Sequence, residues 1–484
     1  MEPQIVDEVL IGGAWQRAER GTYPIVDPAT EETIGAAPEC SVAQVEAAAR
    51  AARAAFTDGP WPRMSGEERA ARLREAAAKF REAAPGLVDL TIAETGAVRP
   101  VAEAQQVGAV ALRLAKYAEQ AALPPDEPMP SRDVQGRRHQ GIVRREPIGV
   151  VACITPFNFP MTNCAGKIGP ALACGNTVVV KPAPVDPLGV AELCRIVDRA
   201  LPPGVVNFVC GSGADLGQAL VAADAVDMIS FTGSTAVGLQ IQETAARGLK
   251  RTLLELGGKS PQIVFADAPH EPALAGAAQV WTFHAGQICI AGTRLLVEAS
   301  IYDEFTRGLV ERAGRVVIGD PRTPGVVMGP LVSKAHRERV ERYIARGVEE
   351  GATLACGGKR PAHLTKGWFV EPTLFTNVRN DMTIAQEEIF GPVIVAIPFR
   401  DEAEAIAIAN DSDFGLYGYV WTEDAERGQR VARALRTGTV QINTGAGMNP
   451  DAPFGGYKLS GIGRDGGLWA LAAHSELKYI GWTA

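Results

Sequence analysis

From residue 148 onward the chain alternates short, wholly apolar runs with helix-like stretches, and this rhythm limits the fold more than any other feature. Apolar runs at 149–154, 176–181, 205–209 and 228–231 predict strands, the second with Val178, Val179 and Val180 at its centre. Helices are expected over 187–200 and 216–222. Strands apolar on both faces must be covered on both, which is the condition of a parallel sheet flanked by helices. Such sheets hold ligands at the carboxyl ends of their strands, and each of these runs ends in a polar or glycine-rich turn. The pattern resumes after residue 259 with a helix over 269–284 and strands at 294–297, 393–398 and Thr439–Ile442.

The first third reads differently. Helices are expected over 41–56, capped by Ser41, over 65–83, with Glu67 and Glu68 in the first turn, and over 101–122. The prolines of 123–130 exclude a helix there. Residues 131–147 alternate apolar and polar positions and predict an exposed hairpin or arm, whose free edges call for subunit pairing. A chain of 484 residues is too long for one core, so two or three domains are expected. With 46% hydrophobic and 21% charged residues it is not a disordered chain. A net charge of -8 leaves no basic stripe for nucleic acid, and the runs Arg137-Arg138-His139 and Arg144-Arg145 read as a solvated or subunit-contacting face. No apolar run approaches the ~20 residues that span a membrane. The acidic, polar start lacks a secretory pattern, and the eight cysteines show neither CxxC pairs nor zinc spacing. A reduced, cytoplasmic protein without a metal is the expectation.

Five places carry candidate chemistry. Gly211, Gly213 and Gly217 follow a strand and open a helix, like a dinucleotide fingerprint one residue too long; a tight strand-to-helix turn fits equally. Phe231-Thr232-Gly233-Ser234 also ends a strand and starts a helix, which offers an anion site or an ordinary serine cap. Lys181 follows its strand directly, placed for a ribose hydroxyl or phosphate, or for the surface. Cys289 stands between Gly286 and Gly292, which let a substrate approach closely, although one cysteine in eight carries little weight alone. Glu255, between Leu254 and Leu256, would be desolvated and its pKa raised; that suits a general base or a buried, paired carboxylate.

Together these segments resemble the aldehyde dehydrogenase superfamily, from about residue 8 to 480. The resemblance rests on Thr155-Pro156-Phe157-Asn158-Phe159-Pro160, Val179-Val180-Lys181-Pro182, Phe231-Thr232-Gly233-Ser234, Glu255-Leu256-Gly257-Gly258-Lys259, Gly286-Gln287-Ile288-Cys289, Glu387-Glu388-Ile389-Phe390-Gly391-Pro392 and Pro453 to Gly461, in the family's order. It implies an α/β aldehyde dehydrogenase-like fold with a Rossmann-like cofactor domain (1–122 and 148–257), an α/β catalytic domain (258–446) and a β oligomerisation arm with the C-terminal segment (123–147 and 447–484). The implied protein is a homodimer or homotetramer.

The implied reaction is NAD(P)-dependent oxidation of an aldehyde to an acid through a thioester on Cys289. Asn158 and the Cys289 backbone N–H would stabilise the oxyanion, Glu255 would activate water, and Lys167 falls with these catalytic positions. The cofactor would meet Ile154, Thr155, Pro156, Phe157, Lys181, Pro184, Gly213, Phe231, Gly233, Ser234, Leu256, Gly257, Glu388 and Phe390. The aldehyde would meet Phe159, Asn163, Gly166 and Phe454.

Three departures bear on this expectation. Pro184 stands where NAD-preferring relatives often carry a ribose-binding glutamate, so NAD is favoured and NADP stays open. Asn163 and Gly166 replace large tunnel side chains, which implies a medium or bulky aldehyde. Asp465 replaces a glutamate, and Arg251, Arg464 and Glu476 match an interface ion network. The loop 443–454 has no arginine or lysine, so a carboxylate clamp there is not expected, although one could reach in from elsewhere. Rival readings are a CoA-acylating semialdehyde dehydrogenase, against which Glu255 speaks, a non-catalytic binding relative, and a phosphorylating reductase of different pattern.

Overall fold

The computed structural model describes residues 4–445 and 449–483. The first three residues of the polar start, and 446–448 with the expected domain boundary at 446, lie outside the described residues.

Two large sheets organise the chain. In the eight-stranded sheet, Val150–Ile154 lies between Thr177–Lys181 and Met228–Thr232, with Val206–Phe208 and Arg251–Glu255 next on either side, all parallel. Antiparallel edges come from Glu8–Ile11, Ala14–Arg17 and Gly461–Ile462. Alternate residues serve opposite faces. Val151, Val178 and Val180 pack into one buried cluster, and Val150, Ala152 and Val179 into another. Both faces are covered, as continuous apolarity requires. Chain order reverses between Val150–Ile154 and Met228–Thr232, so a crevice opens beyond Ile154 and Thr232.

The second sheet has seven strands in the order Thr353–Cys356, Thr373–Thr376, Val393–Phe399, Arg294–Glu298, Pro261–Val264, Tyr417–Trp421 and Thr439–Ile442. The arm is a third sheet. Asp126–Val134 pairs with Arg137–Pro147, which in turn pairs with Ser475–Thr483. Pro128 and Pro130 are tolerated because theirs is an edge strand with no second ladder to supply. Among the described residues no helix is long and apolar enough to cross a membrane.

The expected helix starts hold: Ser41 and Ser65 both close capping boxes, with Gln44 and Glu68. Two helices differ from expectation. The second runs over Gly66–Thr95, through Pro85, to Gly96 at φ +72°. A proline inside a helix costs about 3 kcal/mol. Burial of Leu87, Val88, Leu90 and Ile92 beyond it offsets that loss. The third is broken into Arg99–Val101, a π-helical segment Ala102–Gly108, and Ala109–Ala121. The wider turn leaves the Gln105 and Gln106 carbonyls to accept the Thr162 hydroxyl, at 2.7 and 3.0 Å. The Gln106 amide donates to the Asn158 carbonyl at 2.9 Å. The irregularity holds a segment of the site, a common use of π turns.

Candidate active site

One cavity of about 1720 Å³ runs from the strand ends of the first sheet to the face of the second. That exceeds the ~300–1,000 Å³ usual for a small-ligand pocket. It brings together every residue to which the resemblance gives a catalytic, cofactor or aldehyde contact, except Lys167. Lys167 is buried one layer behind, with its Nζ 3.3 Å from Ser230 Oγ and 3.9 Å from an Asp465 carboxylate oxygen.

Cys289 opens onto the middle of the cavity from the loop after the helix His270–Thr282. That loop is tightly wound: His284, Ala285 and Gly286 have φ of 55°, 51° and 74°. Such angles in non-glycine residues are held only by surrounding contacts. At Gly286 a β-carbon would lie 2.2 Å from the Gly391 carbonyl oxygen, so a side chain there would push the loop off the Phe390–Gly391 segment. Burial pushes the Cys289 thiol up to about 12, and the Glu388 and Glu255 charges add to this. The backbone N–H groups of Cys289 and Ile290 act the other way.

Asn158 lies across from it, in the turn that leads into the helix Pro160–Ala173. Its amide nitrogen donates to the Gln287 carbonyl at 2.9 Å, and its oxygen accepts from Phe159 N at 3.1 Å. Glu255 ends its strand in register with Thr232. Both of its carboxylate oxygens are buried with no hydrogen-bond partner among the described residues. Burial first, then the Asp465 charge, raises its pKa well above the carboxylate range, opposed by Lys167 and Arg464. Gly258, three residues on, packs against the Cys289 carbonyl, where a β-carbon would approach to 2.4 Å. The glycine pair thus lets the Glu255 segment and the Cys289 loop touch.

At one end of the cavity stand Lys181, Pro184, Gly213 and Ser234. Lys181 is buried, and among the described residues its Nζ donates only to the Pro182 carbonyl, at 3.5 Å. Desolvation lowers its pKa. Gly213 precedes the helix Ala214–Ala222, and Ser234 caps the helix Thr235–Ala246 by accepting from Val237 N at 3.4 Å. Ser234 is thus an ordinary cap and also borders the cavity; its two readings coexist. Nearer Cys289, Glu388 accepts from Gly258 N at 3.0 Å, and burial raises its pKa to about 7. The Phe390 and Phe157 rings meet edge-on at 5.6 Å. At the other end stand Phe159, Asn163, Gly166 and Phe454. The Phe159 ring leans on Phe283 and His284, and Phe454 exchanges backbone hydrogen bonds with Asp465 at 2.7 Å.

An orphaned buried cation beside two helix starts fits the diphosphate and ribose of a dinucleotide. A partly exposed thiol facing an amide and an unpaired carboxylate fits acyl chemistry. The match to known families agrees: the aldehyde dehydrogenase family model covers residues 15–480. This chain belongs to the aldehyde dehydrogenase family.

It is 41% identical over 480 residues to a betaine aldehyde dehydrogenase of Bacillus subtilis, covering 98% of this chain and 96% of that one. It is 42% identical over 479 residues to human retinal dehydrogenase 2, covering 98% and 91%. Among solved structures, a Staphylococcus aureus betaine aldehyde dehydrogenase point mutant in complex with NAD+ superposes with TM-score 0.96 at 37% identity, over 99% and 98% of the chains. An NAD+ complex of a Bacillus cereus aldehyde dehydrogenase gives 0.94 at 40%, over 98% and 96%.

Two details of this aldehyde dehydrogenase depart from the sequence reading. Arg251 pairs with Glu476 at 2.6 Å, and among the described residues Arg464 makes no ion pair with Glu476. Its guanidinium donates to the Gly456 and Gly463 carbonyls and lies over the Tyr457 ring, because the turn at 455–463 offers acceptors closer at hand. Ala109, Leu112, Arg113 and Lys116 also wall the cavity, although no sequence motif includes them. Their i, i+3, i+4, i+7 spacing marks one helix face, yet its mixed polarity looks like a solvated one.

Proposed function

We propose that this aldehyde dehydrogenase oxidises an aldehyde to a carboxylic acid with NAD+ and water, by way of a thioester on Cys289. The observation that carries the reading is the convergence of Cys289, Asn158 and Glu255 on one cavity. The Cys289 thiolate adds to the aldehyde carbon. The Asn158 amide and the Cys289 N–H hold the resulting oxyanion. Lys181, the helix starts at Gly213 and Ser234, and Glu388 and Phe390 would hold NAD+, which would supply the hydride acceptor. Collapse of the oxyanion as hydride leaves gives the thioester. Glu255 takes a proton from water, which hydrolyses it and frees the thiolate.

NAD is favoured over NADP by charge. Glu39 and Asp215 lie close enough to Lys181 to stabilise its cation. Negative charge there opposes a 2′-phosphate, although Pro184 itself does not. The unpaired Glu255 favours hydrolysis over transfer to a thiol such as CoA. The cavity's volume of about 1720 Å³ favours a medium or bulky aldehyde.

We further propose three working parts: residues 1–122 with 148–257, 258–446, and the arm with the C-terminal segment. The exposed Leu477, Tyr479 and Trp482 of that arm would join subunits into a homodimer or homotetramer in the cytoplasm.

The test is formation of reduced nicotinamide from NAD+ or NADP+ across a broad aldehyde panel, by wild type and Cys289→Ala. Turnover by the wild type and none by the variant is expected. A wild type inert across the panel would move the reading to a binding relative. Acetaldehyde outrunning every larger aldehyde in kcat/KM would sink the wide-tunnel proposal.

A further inference from the structure

The aldehyde end of the cavity has a cationic wall. Arg113 projects from the helix Ala109–Ala121 toward the helix Pro160–Ala173, and it lines the cavity beside Asn163 and Gly166. Two glycines permit this approach. Tyr117 packs its ring over Gly169, and one turn earlier Arg113 lies over Gly166. A β-carbon on Gly166 would stand 2.6 Å from an Arg113 guanidinium nitrogen. The missing side chain at 166 and the arginine at 113 are therefore one feature. The space left open at Gly166 is taken by a guanidinium, so the wall carries a charge there.

That guanidinium is almost unused. It has five donors, and among the described residues it makes one long hydrogen bond, 3.4 Å to the Thr162 carbonyl. It has no ion-pair partner among the described residues, whereas Lys116, next on the same face, is held by Asp451 at 2.8 Å. Asp465, an acidic group that also lines the cavity, meets Lys167 at 3.9 Å through one carboxylate oxygen, and its other oxygen has no hydrogen-bond partner among the described residues. Arg113 is half-buried and lines the same part of the cavity wall as Phe159, Phe283 and Phe454. A planar fork of free donors in such a wall matches a carboxylate, which can take two parallel hydrogen bonds from it.

We propose that Arg113, seated over Gly166, is a carboxylate-binding group, and that the substrate is an aldehyde bearing a carboxylate at its far end. This rests on the aldehyde-oxidising reading above and names the substrate class within it. Asn163 lies between the two ends. Its amide nitrogen is 3.5 Å from the Asn158 side-chain oxygen, and Gly166 follows about 4.5 Å further along the helix at 1.5 Å per residue. A benzene ring or a short alkyl chain spans that interval. The ion pair would form partly out of water, where a charged hydrogen bond discriminates strongly against a ligand lacking the charge.

The test compares three benzaldehydes that differ only at the para position: carboxylate, methyl and trimethylammonium. Wild type is expected to show kcat/KM for the carboxylate at least about tenfold above the methyl compound, with the cation poorest. Arg113→Met should collapse the carboxylate-to-methyl ratio toward one, through KM rather than kcat, and Arg113→Lys should restore part of it. Gly166→Ala, which displaces the guanidinium, should also lower the ratio. A wild-type ratio at or below one, or a ratio that survives Arg113→Met, overturns the proposal. Calorimetric binding of terephthalate, the product of the carboxylate compound, separates this proposal from the parent reading. If no aldehyde is oxidised at all, terephthalate binding lost in Arg113→Met still supports the anion site, and equal binding in the two proteins overturns it.

Discussion

The Asn158 side-chain amide donates to the backbone carbonyl of Gln287 at 2.9 Å, two residues before Cys289. An amide nitrogen has two hydrogens, so this bond fixes the group and leaves one donor for the cavity. With its oxygen held by Phe159 N, the amide cannot flip or swing away. A donor prepared in this way acts on the charge that develops at the transition state, where one such group contributes about 3–4 kcal/mol. Asn158→Ala should therefore lower kcat by about 10²–10³ and change KM little. Steady-state kinetics checks this; a loss confined to KM would instead assign Asn158 to ground-state binding.

Glu255 makes a prediction with a definite sign. Its pKa is raised because burial and the Asp465 charge penalise the carboxylate. A base with a raised pKa becomes competent as pH rises, so thioester hydrolysis should climb with pH through that value. Asp465→Asn removes a repelling charge and should move the rise to lower pH. Folding carries the same linkage: the proton is held more tightly in the native state, so this group's contribution to stability is present at low pH and is lost as pH climbs above the ordinary carboxylate range. Glu255→Gln should abolish turnover while sparing the first hydride transfer. Its melting temperature relative to wild type should increase with pH. A flat difference across the pH range would show that Glu255 is not titrating in this way.

What was legible in the sequence follows from the size of the physical signal. The strands centred on Val151, Val179 and Ile229 were readable because unbroken apolarity has one inexpensive solution, and their observed ends lie within about two residues of expectation. The caps at Ser41 and Ser65 were readable from local chemistry alone. The helix Pro160–Ala173 was not, although it carries Asn163, Gly166 and Lys167. It is buried nearly all round, so no polar face marks its period, and Gly166, Gly169 and Pro170 mimic a loop. The motif residues were readable as a set because their order along the chain matches a family. Arg113 belongs to no motif, and only packing against Gly166 turns it inward.

The Cys289 thiol supplies a direct test of the site's electrostatics. Burial and two nearby carboxylates push it up to about 12. In the unliganded protein the thiolate fraction should rise about tenfold per pH unit below that value. Alkylation at Cys289, followed by mass spectrometry with Cys289→Ala as control, should accelerate accordingly. Glu388→Gln removes one of the two charges, lowers the thiol pKa, and should accelerate alkylation above about pH 7, where Glu388 is ionised. Slower alkylation in that variant would contradict the assigned electrostatics.

Cofactor choice turns on Glu39. One carboxylate oxygen accepts from Ser212 N at 2.9 Å and from Ser212 Oγ at 2.7 Å, while the other is buried without a hydrogen-bond partner among the described residues. It also lends negative charge to the surroundings of Lys181. Bringing a 2′-phosphate beside it would place like charges together in a partly dry site, and Pro184 supplies no compensating donor. Glu39→Gln keeps an oxygen for Ser212 and removes the charge. It should raise kcat/KM for NADP+ about tenfold relative to NAD+, the ratio that ~1.4 kcal/mol of relieved repulsion corresponds to. An unchanged ratio would place the discrimination elsewhere along the cavity wall, with the contact of Gly217 against the Lys181 side chain as the next surface to vary.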